Sequence, residues 1–147
     1  FFSLRLFVIS TSLSFSLFDS DYALYQNAVS LGLIGKDISK VELLKRIVTD
    51  YTNSSYYDNS LFDLAKHYKN RSNNDLAIKY FEELISITSD DDLIADSHLS
   101  KGMIYFNSSK VELAIDEFLF VVNNYQQTIY FKEALSAFDE PNHLPFP

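Results

Sequence analysis

The residues best equipped for chemistry do not assemble into a reactive set. The three histidines, His67, His98 and His143, stand apart with no H-x-x-x-H or H-E-x-x-H spacing. They therefore offer no pair of imidazoles on one helix face for a metal. Cysteine is absent, which removes disulfides, thiolate zinc sites and a cysteine nucleophile. A chain without cysteine tolerates both reducing and oxidising compartments. Asp90-Asp91-Asp92 is a dense acidic run, but it lacks the alternating spacing and the glycine of a calcium loop and reads as a helix start. No two carboxylates stand out as general acid and base; solvated helix faces explain them. No nucleophile elbow, phosphate-binding loop or dinucleotide fingerprint occurs. Three N-x-[ST] sequons lie at Asn53, Asn70 and Asn107. The last two are equivalent turn positions in the repeat below, where turn chemistry accounts for them. The expectation is a chain with no enzymatic activity, no metal and no cofactor.

The bulk properties point the same way. The 147 residues suffice for one domain with a real core. The formal charge of −8 argues against nucleic acid, which needs a basic stripe to displace counterions. With 47% hydrophobic and 22% charged residues the chain is predicted to fold. Only three glycines and three prolines punctuate it, which favours long helices over many short strands.

The elements that would position any site are written periodically. A step of 37 residues, without gaps, aligns the small residues Ala28, Ala65 and Gly102. The same step aligns Leu31, Tyr68 and Tyr105; Val41, Ile78 and Ile115; Leu44, Phe81 and Phe118; and Ile47, Leu84 and Val121. Leu24, Leu61 and Leu135 share a further column in which His98 is the odd member. Within each unit the apolar residues recur at i, i+3, i+4 and i+7, the spacing of a half-buried helix. Short polar breaks such as Arg71-Ser72-Asn73-Asn74 separate two helices, and longer ones such as Ser89-Asp90-Asp91-Asp92 separate units. One hairpin cannot bury both faces alone, so neighbours are expected to stack into a solenoid. The small column lets paired helices approach closely, and Phe in place of Ala65 would overpack the crossing by about 1–3 kcal/mol.

These residues resemble the tetratricopeptide repeat. The second unit carries its pattern in Leu61, Leu64-Ala65, Tyr68, Ala77 and Phe81, and the third in His98, Gly102, Tyr105, Ala114 and Phe118. The first keeps Leu24, Ala28, Leu31, Gly35 and Leu44 but has Lys40 where Ala is expected. The proline that often follows the second helix is absent, and the period exceeds the usual ~34 residues. The longer period resembles that of multi-repeat envelope proteins of Bacteroidota-like bacteria. The resemblance covers residues 21–138 and implies an all-α superhelix, a right-handed solenoid of antiparallel helix hairpins. The expected units are 21–57, 58–94, 95–131 and a partial 132–138. Leu135 and Phe138 of the partial unit would present an open end. Residues 1–20 form an apolar segment read either as a signal remnant or as a partial repeat helix, and 139–147 a proline-rich tail. The first residue is Phe, so the chain reads as processed or as a piece of a longer one.

In that family the first helices line a concave groove for a peptide or a protein surface. The groove positions fall on Tyr25, Val29, Gly32, Phe62, Lys66, Lys69, Asn70, Leu99, Met103 and Phe106. Tyr25, Phe62 and Leu99 share one column, either as docking anchors or simply as packing between units. Lys66 and Lys69 read as groove cations or as a solvated helix face. A carboxylate clamp would want Lys and Asn where Tyr25 and Val29 stand, which argues against capture of an acidic chain end. The implied function is a non-catalytic interaction scaffold for a protein or peptide, with no nucleic acid and no small-molecule substrate. The alternative is a structural spacer within a larger envelope protein. The resemblance points to periplasm or cell envelope, with membrane association only through an N-terminal signal or the parent protein.

Overall fold

The computed structural model describes residues 20–139, with side chains through Ala137. The segment expected at 1–20 (save Ser20), the proline-rich tail, His143 and the side chain of Phe138 lie outside the described residues. The chain is all-α. Seven helices follow in order: α1 Asp21–Leu33, α2 Asp37–Asp50, α3 Tyr57–Asn70, α4 Asn74–Ile87, α5 Asp91–Asn107, α6 Val111–Asn124 and α7 Tyr130–Asp139. There is no strand among the described residues.

The 37-residue period is visible in the backbone itself. Helices α2, α4 and α6 begin at 37, 74 and 111 and end at 50, 87 and 124. Helices α1, α3 and α5 end at 33, 70 and 107. The turn after each is closed by the same two bonds. Lys36, Asn73 and Lys110 donate their N–H groups to the carbonyls of Leu31, Tyr68 and Tyr105, each at 2.9 Å. Gly35, Ser72 and Ser109 donate to Gly32, Lys69 and Phe106 at 3.1, 3.0 and 3.0 Å. This is the Schellman arrangement, which satisfies the last carbonyls of a helix and requires a left-handed residue. That residue is Gly35 at φ 72°, Ser72 at 56° and Ser109 at 59°. Asn70 and Asn107, read from sequence as turn residues, are instead the last residues of α3 and α5.

The looser connection before α5 starts that helix with a side-chain cap. Asp90 accepts from the N–H groups of Asp92 and Leu93 at 3.0 and 3.1 Å, as the acidic run led one to expect. Ser54 donates to the Asp21 carboxylate at 2.7 Å, tying the α2–α3 connection to the start of α1.

Two compact units divide the chain, Phe1–Leu64 and Ala65–Pro147. In the first, α1 packs on α2 around Leu24, Ala28, Val41, Leu44 and Ile47. In the second, α5 packs on α4, α6 and α7, and α6 packs on α7. Its core includes Ala95, Leu99, Ala114, Phe118, Val121 and Ala134. Of the columns read from sequence, Leu44, Phe81 and Phe118 are fully buried, as are Ile47, Leu84 and Val121, whereas Leu31, Tyr68 and Tyr105 are half-buried and Leu135 is exposed. The small column is buried too, and at Gly102 the reason is explicit. A Cβ there would overlap Cε1 of Phe118.

Candidate functional site

The predicted groove residues fall into both units. In the first unit Tyr25, on α1, is half-buried and stacks on Tyr56 with ring centroids 4.9 Å apart and planes at 18°. Tyr22 leans on the same ring at 5.9 Å. Burial, then the nearby Asp63 carboxylate, pushes the Tyr25 hydroxyl above its ordinary pKa. Val29 and Phe62 are half-buried. Tyr25 is therefore partly used for packing against its own neighbours.

In the second unit the predicted cations are engaged. Lys66 reaches both oxygens of Asp96, each at 3.2 Å. Ser100 donates to Asp96 at 3.0 Å, and Lys69 donates to Ser100 at 3.1 Å. Lys69 is pushed below the usual lysine range, by burial first and then by Lys66, with Asp96 and Glu133 opposing. Tyr130, on α7, faces the same carboxylate. Burial first, and then Asp96 as charge and hydrogen-bond acceptor, raise its pKa to about 12. Lys66 and Lys69 are thus parts of a half-buried polar cluster joining α3, α5 and α7 rather than a solvated face.

The structure brings Leu99, Met103 and Phe106 together at an open cleft of about 250 Å³. Helix α7 supplies the facing wall with Glu133, Ser136 and Ala137, and Phe118 of α6 completes the lining. Leu99 is nearly buried at 4% exposure, whereas Met103 stands at 37%. The cleft is smaller than the roughly 300–1,000 Å³ of small-molecule sites and matches one or two apolar side chains. Sequence reasoning missed the α7 wall, although the repeat step sends Leu99 to Ser136 and Asp96 to Glu133.

A second cluster was also missed. His98 Nδ1 lies 2.6 Å from one oxygen of Glu117, and Lys101 Nζ 2.9 Å from the other. Lys101 also approaches Glu82 of α4 at 3.6 Å. The His98 ring lies against Phe120, centroids 4.1 Å apart, and its Nε2 is buried without a hydrogen-bond partner. Burial pushes the Glu117 carboxyl up, but hydrogen bonds from His98 and Lys101 and the Lys101 charge outweigh it and hold it below the ordinary range. The signal for this cluster was the odd histidine in an otherwise leucine column. Among the described residues no group of three or more His, Asp or Glu is placed to hold a metal ion.

Compared with models of protein families and with curated protein sequences, the chain matches none.

Proposed function

We propose that the chain is a non-catalytic interaction scaffold of tetratricopeptide type that captures a peptide or protein surface through an apolar anchor. The observation that carries this reading is the open apolar cleft between α5 and α7, floored by Leu99 and flanked by Met103 and Phe106. Its walls are held by helix packing, so little conformational freedom is lost when an anchor enters. A methionine at the mouth adapts to side chains of different shape. Glu133 and Ser136 in its wall supply polar contacts at the rim.

Panning a random peptide library on the full chain tests the proposal. Met103→Glu is the control, because Met103 is exposed and its replacement leaves the core intact. Lys66→Glu is a poorer probe, since it would break the Asp96 pair. Recovered peptides should carry an apolar anchor and bind Met103→Glu at least about tenfold more weakly. Failure to enrich any peptide, or binding indifferent to Met103→Glu, overturns the reading.

A further inference from the structure

The buried Asp96 carboxylate is so fully supplied with donors that one cation of its cluster is left over. Lys66 spans both Asp96 oxygens at 3.2 Å, Ser100 donates to one of them at 3.0 Å, and the Tyr130 hydroxyl bonds to the same carboxylate. Lys69 makes no hydrogen bond to it. Its ammonium donates to the Ser100 oxygen at 3.1 Å, and Asp96 and Glu133 act on it only as charges at a distance. Lys69 is half-buried and has Lys66 as a like-charged neighbour. Burial and a second cation both favour the neutral amine. The other lysines are placed differently. Lys40, Lys66 and Lys101 pair with Asp63, Asp96 and Glu117 at 3.1, 3.2 and 2.9 Å. Lys36, Lys45, Lys79, Lys110 and Lys132 are exposed.

The hydrogen bonds also fix where a lone pair on Lys69 would stand. The Ser100 hydroxyl has one proton and gives it to Asp96. Ser100 therefore only accepts from Lys69. An uncharged Lys69 amine still donates one N–H to it and keeps its lone pair for an incoming electrophile. We propose that Lys69 is an acylation site, an amine nucleophile that takes an acyl group from an activated donor of the acyl phosphate or thioester class. Its Nζ attacks the carbonyl carbon and forms the C–N bond. The bond from that carbon to the phosphate oxygen or thiol sulfur breaks, its electron pair leaves on phosphate or thiolate, and the proton shed by nitrogen passes to water. The product suits the site better than the ammonium does. An amide is uncharged, so the costs of burial and of the Lys66 charge fall away, and its N–H still reaches Ser100. An aldehyde or ketone would instead give an imine that returns positive charge to the same nitrogen on protonation.

The test follows acetylation of each of the nine lysines by mass spectrometry. The full chain is treated at neutral pH with acetyl phosphate and, separately, with an acetyl thioester. Lys69 should react at least about threefold faster than the exposed Lys36 and Lys79 with one donor or both, and the donor that does so names the class. As pH is raised, the rate at Lys69 should level off before the rates at Lys36 and Lys79 do. Glu133→Gln, at an exposed position, removes a charge that holds the proton on Lys69, and should raise its rate about twofold relative to Lys36 in the same sample. The proposal is overturned if Lys69 reacts no faster than Lys36 and Lys79 with either donor. It is equally overturned if its rate climbs with pH alongside theirs, or if Glu133→Gln leaves the ratio of Lys69 to Lys36 unchanged.

Discussion

Gly32 and Gly102 are both helical glycines, in α1 and α5, yet only one is replaceable. A Cβ on Gly102 would overlap Cε1 and Cδ1 of Phe118, and that ring is fully buried, so the packing must shift to admit it. Gly102→Ala should therefore destabilise by about 1–3 kcal/mol despite the better helix propensity of alanine. On Gly32 the nearest atom is Cδ of Lys40 at 3.0 Å, part of a flexible side chain. Gly32→Ala should leave the urea midpoint unchanged or raise it. Glu117 sets a second residue-scale expectation. It is faced by His98 and Lys101 of α5, with Glu82 of α4 beyond Lys101, and its folded pKa lies below the ordinary 4.5. A depressed carboxylate contributes stability that is fully present above its unfolded pKa and is lost as pH falls through the folded value. Wild type should accordingly lose stability below about pH 4.5 more steeply than Glu117→Gln, in urea unfolding followed by circular dichroism across that range. The small column was legible in the sequence. That Phe118 is the atom set it serves was not, because the ring comes from another helix sixteen residues away.

Among the elements, the α5–α6 pair is the one whose side chains depart most from the repeat. Leu61, Leu64 and Tyr80 of the second repeat correspond to His98, Lys101 and Glu117 of the third, so apolar and aromatic positions are taken there by ionisable residues. Leu61 and Leu64 are fully buried, and the side chains of Lys101 and Glu117 keep only 9% and 14% exposure. Ion pairs so enclosed lose hydration that their mutual attraction only partly returns. The triple substitution His98→Leu, Lys101→Leu, Glu117→Tyr should thus fold and match or exceed wild-type stability by up to about 4 kcal/mol. Tyrosine at 117 would face Tyr105 as Tyr80 faces Tyr68, where the rings stack at 5.7 Å. Lys101→Leu alone should cost about 3 kcal/mol, because it leaves a buried carboxylate short of its cation. Urea midpoints of the two variants decide between these outcomes. The sequence marked His98 as irregular, but its link to Glu117 depends on how far two side chains reach between helices.

For the whole molecule, the sequence by itself determined the all-α class, the 37-residue period, the buried columns and the common turn, since each is written in spacings of a few residues. Apolar recurrence on one helix face and a small or left-handed residue at a helix end are local conditions, and local conditions repeat when the chain repeats. Tertiary structure alone decided which polar groups are enclosed and which apolar ones are left outside. Lys66 read as a groove cation or a solvated side chain, and the structure places Asp96, thirty residues on, beside it. The cleft at Leu99 acquired its second wall only when α7 packed on α5. Leu33, Ile34 and Ile38 are aliphatic, yet the turn holds them in solvent. The physical reason is common to all three. Burial and pairing depend on what arrives from distant segments, and a periodic pattern specifies the helix without specifying what each neighbour brings to it.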